Sequence, residues 1–230
     1  MKNTNLEKDK LFTIIAHDLR GPFSSFMGIT QMISDDISSF STEDLKSLAK
    51  KMNRSATDLF NLLENLLQWS RMQQGTIQFN PEQINLKSIL SSNLDILLHS
   101  AEEKGISLKI DIPDNIELTA DSKMIQTILR NLVSNAVKFT SNGGHIELNA
   151  KQEGNEIVIS VIDDGIGMSE DTLEKIFQLN NDTGRFGTAG EPSSGLGLLI
   201  CKDFVDKHNG KLAAKSLVKK GSTFIVTLNS

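Results

Sequence analysis

The sequence contains little of what disulfides and metal centres need, since Cys201 is its single cysteine. One cysteine excludes an intramolecular disulfide and any metal site built from several thiolates, and it fits a reducing compartment. Cys201 stands in an apolar run with helical spacing, so we expect its thiol to pack in the core. The sequence also lacks an apolar run of about 18 residues and a signal-peptide-like start. We therefore expect a cytoplasmic chain with no membrane segment in these residues.

Positive charge is scarce as well. The chain has 24 lysines and arginines against 29 aspartates and glutamates, and its net charge is -5. No basic cluster alternates with aromatic residues, so we expect no nucleic-acid partner. Hydrophobic residues make up 38% of the 230 positions, which is enough for one large or two small folded domains.

Two long amphipathic helices are predicted in the first third of the chain. The first covers residues 6–37, and its apolar residues share one face: Leu11, Ile15, Leu19, Pro22, Phe26, Ile29, Ile33 and Ile37. Gly21 and Pro22 predict a kink within it. Ser41 is the predicted N-cap of the second helix, which ends near Met72. Because one hairpin cannot bury both apolar faces, the pattern predicts a homodimer in which two hairpins form a four-helix bundle.

His17 lies on the face of the first helix opposite these apolar residues. A single histidine of this kind is compatible with an ordinary surface residue. It is also well placed to react with a reagent that another part of the molecule carries. The adjacent Asp18 is suited to holding the imidazole tautomer and raising its nucleophilicity. The hairpin alone does not separate these interpretations.

After Gly75 the pattern changes, which predicts a domain boundary near residues 73–76. Strands are expected at 76–79, 106–112, 116–120, 145–150, 156–162, 211–216 and 223–228, and helices at 86–103, 122–139 and 195–207. This order favours an α+β protein in which the helical hairpin precedes a two-layer α/β sandwich, a mixed sheet with helices on one side. Residues 178–194 have no periodicity and are rich in Gly, Asn, Ser and Thr, so they are predicted to form a mobile lid.

Polar candidates for a binding site follow in this second part. Asn131, Asn135 and Lys138 share one face of the helix predicted at 122–139, where two amides and an ammonium group suit a metal ion and phosphate oxygens. Asp163 directly follows the strand predicted at 156–162 and opens a turn whose glycines let the backbone approach a ligand. Taken singly, each signal is weak. The helix face is compatible with solvation alone, and neither Gly-x-Gly sequence has the third glycine of a dinucleotide motif.

Taken in order, these segments resemble the H, N, G1, F, G2 and G3 boxes of sensor histidine kinases. The matching residues are 12–22, 131–139, 163–168, 176–177, 195–198 and 221–224. The resemblance implies a dimerisation and histidine-phosphotransfer domain at residues 1–73. It implies an ATP-binding catalytic domain at residues 76–230, with the Bergerat fold that certain chaperones, gyrases and mismatch-repair ATPases share.

The resemblance also implies an activity. His17 is similar to the phospho-acceptor histidine of the family, and Asp18 is similar to its acidic helper. The expected reaction is ATP-dependent autophosphorylation of His17, followed by transfer to an aspartate on the receiver domain of a response regulator. Phosphoryl transfer of this kind depends chiefly on positioning and charge neutralisation.

The same resemblance assigns the nucleotide site. Asp163 matches the carboxylate that binds the adenine amino group, and Asn135 matches the residue that reaches Mg²⁺. Asn131 and Lys138 match neighbours of the ATP phosphates. The glycines that match lid hinges, which bring backbone donors to the triphosphate, are Gly165, Gly167, Gly195 and Gly197.

Three positions depart from the family's pattern. Gly21 stands where relatives often carry Thr or Asn to orient a hydrolytic water, so we expect weak or absent phosphatase activity. Asn180 replaces the second phenylalanine of the F box, and Arg185 lies later than the arginine of many relatives. Two other functions stay open: a non-catalytic dimeric scaffold that binds nucleotide to change shape, and an ATPase or serine kinase of the same superfamily.

Overall fold

The computed structural model describes the backbone of residues 2–91, 95–178, 187–191 and 195–230, and the side chains of these residues except 2–18, 54, 91 and 95–97. The chain begins with a helical hairpin in which a 3-10 turn (Ile37–Ser39) joins α1 (Lys2–Asp35) to α2 (Thr42–Gln73). Ser41 caps α2 as predicted. Its hydroxyl accepts a hydrogen bond from the Asp44 N–H at 3.1 Å, and the Asp44 carboxylate accepts one from the Ser41 N–H at 3.1 Å.

The end of α1 differs from the prediction. The helix stops at Asp35, and Ile37, expected on the apolar face, is 60% exposed. Ser38 donates its hydroxyl to the Asp36 carboxylate at 2.6 Å, and Ser39 donates to the Asp36 carbonyl at 2.9 Å. Such local side-chain bonds compete with the helix. α1 continues through Pro22, and the predicted kink there stays a prediction.

One hairpin buries only part of its apolar surface. Pro22, Ile29 and Leu62 are buried. Other apolar side chains on both helices are between 44% and 62% exposed: Phe23, Met27, Met32, Phe60, Leu63 and Leu67. The single chain therefore leaves apolar surface in contact with water, which is the situation that the sequence predicted.

The rest of the chain alternates between strands and helices. Its elements are β1 (Glu82–Asn85), α3 (Leu86–Ser91), α4 (Asp95–Glu103), β2 (Ser107–Asp111), β3 (Glu117–Ala120), α5 (Ser122–Phe139), β4 (His145–Glu153), β5 (Glu156–Asp163), α6 (Glu170–Lys175), α7 (Leu196–Lys207), β6 (Lys211–Leu217) and β7 (Gly221–Asn229). The helix predicted at 86–103 corresponds to α3 and α4, on either side of residues 92–94. Neither β1 nor the short α6 was predicted.

The strand predicted at 76–79 is wrong. The N–H and hydroxyl of Thr76 both donate to the carbonyl of Arg71, at 3.0 and 3.1 Å, and so complete the end of α2. Phe79 packs edge-on against the ring of His208, with ring centroids 4.8 Å apart. These residues therefore link the hairpin to the sandwich instead of joining a sheet.

Five strands form a mixed sheet in the order β2-β4-β5-β7-β6. β2 pairs with β4 in parallel, and the other neighbours are antiparallel. Along β5, Ile157, Ile159 and Val161 are at most 1% exposed, whereas Val158 and Ser160 are only partly buried. The buried side chains pack with those of α5 and α7, so the predicted two-layer sandwich is confirmed. β1 and β3 form a separate antiparallel pair.

Cys201 lies in α7 and is completely buried, as predicted. Its thiol is 3.7 Å from the carbonyl oxygen of Ile128, and burial raises the pKa of this thiol to about 12. A thiol in this state is an unreactive core group. Within the described ranges, none of the helices combines the length and apolar character that crossing a membrane requires.

A small apolar cluster joins the hairpin to the sandwich. Trp69 of α2 and Leu196 of α7 are 7% and 1% exposed, and Leu66, Met72 and Leu199 pack around them. This contact places the sandwich beside α2. A cleft remains between α2 and the C-terminal half of α5.

Candidate active site

The cleft between the hairpin and the sandwich has a volume of about 1150 Å³. Residues of α2, together with Pro22 of α1, line it from the hairpin. Residues of α5, the loop after β5 and the start of α7 line it from the sandwich. Seven of the eight predicted nucleotide-binding residues line this cleft: Asn131, Asn135, Lys138, Asp163, Gly167, Gly195 and Gly197. The fold therefore brings together groups that are far apart in the sequence.

α5 carries the polar wall of the cleft. Its N-cap, Asp121, accepts the Met124 N–H at 3.1 Å on one carboxylate oxygen and the Asn80 N–H at 3.0 Å on the other. The apolar side of the helix is buried in the core, with these side chains at most 1% exposed: Ile125, Ile128, Leu129, Leu132 and Val133. The side chains of Asn131, Asn135 and Lys138 are spaced three or four residues apart and are partly exposed on the cleft side.

Asp163 is a buried carboxylate at the end of β5, with 6% exposure. Its Oδ1 accepts hydrogen bonds from the N–H groups of Gly165 at 3.0 Å and Ser222 at 3.1 Å. Burial raises the pKa of this carboxyl group to about 6; the two N–H donors oppose the shift, and the neighbouring Asp164 adds to it. Neither donor occupies Oδ2, so this oxygen is left as an acceptor for a ligand.

Close packing accounts for glycine in the turn after β5. A Cβ on Gly165 would lie 2.3 Å from the carbonyl oxygen of Phe139. A Cβ on Gly167, whose φ is +61°, would lie 2.0 Å from the carbonyl oxygen of Leu217. The turn is thus held between the end of α5 and the β6–β7 connection. Gly165 is the one of the eight predicted nucleotide-binding residues that does not line the cleft. The predicted hinge role of both glycines stays a prediction.

The start of α7 faces the same cleft. Gly195 is the N-cap of α7 in the left-handed conformation, with φ +65° and ψ -10°. The carbonyl of Gly197 accepts a hydrogen bond from the Asn131 amide at 3.4 Å, which ties α7 to α5. The first N–H groups of a helix lack intrahelical partners and form its positive end, so this end of α7 favours an anion.

The predicted catalytic pair lies in α1. The backbone of His17 and Asp18 is helical, whereas their side chains fall outside the described residues. Pro22, one turn further along α1, lines the cleft. The helix that carries His17 therefore borders the cleft.

Gln178 and residues 187–191 are the described parts of the lid predicted at 178–194, and residues 187–191 lie near α5. The N–H of Thr188 donates to the Lys138 carbonyl at 3.0 Å, and its hydroxyl donates to the Thr140 carbonyl at 2.7 Å. This segment therefore lies against the C-terminal end of α5. Asn180 and Arg185, the two departures from the family's pattern, lie outside the described residues, and the mobility of the lid stays a prediction.

Three kinds of contact were not foreseen from the sequence. Ser222 supplies a donor to Asp163, and Lys104 and Glu191 form an ion pair at the edge of the cleft. Apolar and hydroxyl side chains outside the predicted set of site residues also line the cleft: Ile166, Met168, Thr172, Ile176, Leu198 and Phe224. The segment at 221–224 was noted as a motif, but only the pairing of β5 with β7 shows that it serves Asp163.

Two family models match the chain without overlapping. Residues 7–75 match the His Kinase A (phospho-acceptor) domain, and residues 120–230 match the histidine kinase-, DNA gyrase B-, and HSP90-like ATPases. The first match covers the hairpin. The second covers α5, the main sheet from β4 onward and the cleft-lining residues from Asn131 to Phe224.

The chain is also similar to individual proteins that are named as sensor or histidine kinases. The chain is 32% identical over 222 residues to LuxQ of Vibrio vulnificus, an autoinducer 2 sensor kinase/phosphatase, and this covers 93% of the chain and 25% of LuxQ. The chain thus spans a quarter of that relative. The histidine kinase AdeS of Acinetobacter baumannii has a similar structure, with a TM-score of 0.67 and 20% identity over 93% of this chain and 97% of AdeS. So does histidine kinase ThkA in its complex with the response regulator TrrA, with a TM-score of 0.64 and 23% identity over 94% of this chain and 59% of that one.

Proposed function

Because this chain belongs to the sensor histidine kinases of two-component systems, we propose that it binds ATP in the cleft and transfers the γ-phosphoryl group to His17. The observation that carries the proposal is the cleft itself. It joins a buried carboxylate, a polar helix face and a helix N-terminus, and the helix that bears His17 borders it. The proposed domains are the hairpin at residues 1–73 and the ATP-binding sandwich at residues 76–230.

The residues of the sandwich suit the parts of ATP in turn. Asp163 would accept the adenine amino N–H on Oδ2, and apolar side chains that line the same cleft would enclose the base. Asn131, Lys138 and the N-terminal end of α7 would bind the phosphates. The glycines at 195 and 197 allow that backbone to approach the phosphates closely.

Mg²⁺ fits this site only together with the nucleotide. Among the described residues, no group of three or more His, Cys, Asp or Glu side chains is arranged to hold a metal ion. Asn135 would supply one amide oxygen to Mg²⁺, and phosphate oxygens and water would supply its other ligands. The cation supplies charge neutralisation on the phosphates, while the protein orients them.

The chemical step needs only a neutral imidazole at His17. One ring nitrogen attacks the γ-phosphorus, an N–P bond forms, and the bond from this phosphorus to the β–γ bridging oxygen breaks as ADP leaves with its electrons. The second ring nitrogen keeps its proton, and Asp18 would stabilise the resulting cationic ring. Attack by a carboxylate of a receiver aspartate then forms an O–P bond, breaks the N–P bond and restores neutral His17.

We propose two protein partners. The exposed apolar side chains of α1 and α2 would be covered by a second hairpin in a homodimeric four-helix bundle. A response-regulator receiver domain would bind beside His17, as suggested by the complex of ThkA with TrrA. Light scattering coupled to size exclusion tests the dimer, and Phe60→Glu should shift it toward monomer because a charge would be buried in the interface.

The decisive experiment is incubation of the chain with γ-labelled ATP and Mg²⁺. A phosphoryl group on His17 is labile in acid and stable in base, so the kinase predicts a label with that stability. His17→Gln should keep nucleotide binding and lose the label. Release of free phosphate without labelled protein would support the ATPase, and nucleotide binding with neither product would support the scaffold.

A further inference from the structure

One ion pair beside the cleft has no part in the chemistry described so far. Lys104, just after α4, places Nζ 3.2 Å from Oε1 of Glu191, and the two side chains are 11% and 15% exposed. The same Nζ donates to the hydroxyl of Thr188 at 2.7 Å. It also donates to the carbonyl oxygens of Val137 at 2.8 Å and Lys138 at 3.2 Å. A single ammonium group therefore joins α4, the last turn of α5 and the segment at 187–191.

Glu191 holds the other end of this connection. Its Oε2 accepts the Ala189 N–H at 2.8 Å, and its carbonyl accepts the Gly187 N–H at 2.8 Å. Burial by itself would raise the pKa of Glu191, but backbone N–H groups and the Lys104 ammonium outweigh it, so the pKa lies below its usual value. The carboxylate is therefore ionised at neutral pH, and its hydrogen bond to Lys104 is charge-assisted.

The pair acts on the wall of the cleft that carries the phosphate-binding candidates. Lys104, Ala189 and Glu191 line the same cleft as Asn135 and Lys138. The last carbonyl groups of α5 have no partners within the helix and form its negative end, which the Lys104 ammonium offsets. Removing the pair would leave residues 187–191 held to the end of α5 by the bonds of Thr188 to Lys138 and Thr140, and would loosen the turn that presents Lys138.

We propose that Lys104 and Glu191 are positioning residues that hold residues 187–191 against the end of α5 and thereby preorganise the cleft for nucleotide. The effect on nucleotide affinity rests on the proposed ATP site. The docking of residues 187–191 against α5 does not depend on that site. If residues 187–191 are not held against α5, a nucleotide must order them when it binds. The free-energy cost of this ordering lowers the affinity for the nucleotide. The expected changes are in the nucleotide Kd and KM, with the autophosphorylation rate at saturating ATP nearly unchanged.

The test compares Glu191→Ala and Glu191→Gln with Lys109→Met. Lys109 forms an exposed ion pair with Glu147 at 3.5 Å, 65% and 39% exposed, and neither residue lines the cleft. With a fluorescent ATP analogue and Mg²⁺, Glu191→Ala should raise Kd about fivefold. Glu191→Gln, which keeps an acceptor but loses the charge, should give a smaller rise. Lys109→Met should bind the analogue with the Kd of the unmodified protein. A second pair of variants tests Lys104: Lys104→Met should bind the analogue more weakly, and Lys104→Arg, which keeps the positive charge, should lose much less affinity.

Hydrogen exchange provides a second readout that requires no nucleotide. Glu191→Ala should speed exchange of the Thr188 amide at least severalfold, while the amides of β5 remain protected. Unchanged exchange would overturn the docking, and faster exchange with an unchanged Kd would overturn the positioning role. If the proposed function is wrong, the unmodified protein will bind no nucleotide. The exchange rates of Glu191→Ala and the unmodified protein would still test the docking of residues 187–191.

Discussion

At the scale of single residues, Asp163 shows how the fold sets a chemical property. Two backbone N–H groups hold Oδ1, yet burial still raises the pKa of the carboxyl group to about 6. The group is therefore ionised at neutral pH and becomes protonated in mildly acidic solution. Both its ligand binding and its effect on folding should follow this titration.

If Asp163 binds adenine as proposed, nucleotide binding should weaken as the pH is lowered through about 6, because protonation would replace an acceptor with a donor toward the adenine amino group. Calorimetric titration with ADP and Mg²⁺ at several pH values measures the effect. Asp163→Asn should bind weakly at every pH and lose this dependence. An affinity that stays constant across the range in the unmodified protein would remove Asp163 from adenine recognition.

The same titration predicts a change in stability. The pKa of Asp163 in the folded protein is about 6, above its ordinary value of 3.8. The protonated carboxyl group therefore adds fully to the free energy of unfolding below about pH 3.8, and this contribution is lost as the pH rises through 6. Asp163→Asn keeps an oxygen for both N–H donors and avoids the buried charge. Its free energy of unfolding relative to the unmodified protein should therefore rise between about pH 4 and 7, by no more than about 3 kcal/mol. Urea unfolding at these pH values measures the difference, and a constant difference would contradict the assignment.

At the scale of elements, α1 combines the predicted phospho-acceptor with a glycine one turn later. Gly21 is exposed, and no described atom lies within 4 Å of a Cβ built there, so larger residues fit. Glycine within a helix costs roughly 0.5–1 kcal/mol relative to alanine. The residue thus softens α1 and offers no side-chain hydrogen bond to a water molecule.

We expect the unmodified protein to be a poor phosphatase toward a phosphorylated receiver domain, and Gly21→Asn or Gly21→Thr to raise that rate. Gly21→Ala is the matched control, because it stiffens the helix without adding a polar group. Phosphate release from a purified phosphorylated receiver in the presence of ADP measures the effect. Rapid hydrolysis by the unmodified protein would contradict the prediction, and an equal gain in Gly21→Ala would assign the effect to helix stiffness.

At the scale of the whole molecule, the hairpin and the sandwich meet through few apolar side chains. Trp69 is the single tryptophan of the chain and lies at the centre of this contact. In the proposed reaction, ATP and a receiver domain must both reach His17, so we expect the sandwich to move relative to the hairpin. The small size of the contact is compatible with such a movement, since little apolar surface has to be exposed.

The emission of Trp69 should report on this contact directly. Leu199→Ser should shift the emission to longer wavelength and increase quenching by acrylamide, because Leu199 packs in the Trp69 cluster and not in the main core. Leu217→Ser is a suitable control, since Leu217 is 56% exposed at the end of β6 and lies outside the Trp69 cluster. Equal quenching in Leu199→Ser and the unmodified protein would show that the contact does not shield Trp69 in solution.

Local patterns in the sequence determined most of the elements. The limits of α5 agree with the prediction, because the Asp121 cap and the apolar spacing act within a few residues of the chain. Alternation located the strands from β2 onward, and the order of short motifs led to seven of the residues that line the cleft. The helix and strand signals are readable because each arises from backbone geometry over one or two turns or a single strand. The cleft residues were implied by the resemblance of the ordered motifs to a known family.

The tertiary structure alone decided which distant groups meet. β3 pairs with β1 and not with the main sheet, and Lys104 bonds to Thr188 from 84 positions away. Neither contact is marked by a periodic pattern in the sequence, because each depends on which surfaces the whole chain buries together. The raised pKa of Asp163 has the same origin: the aspartate is in the sequence, but the burial that shifts it comes from packing.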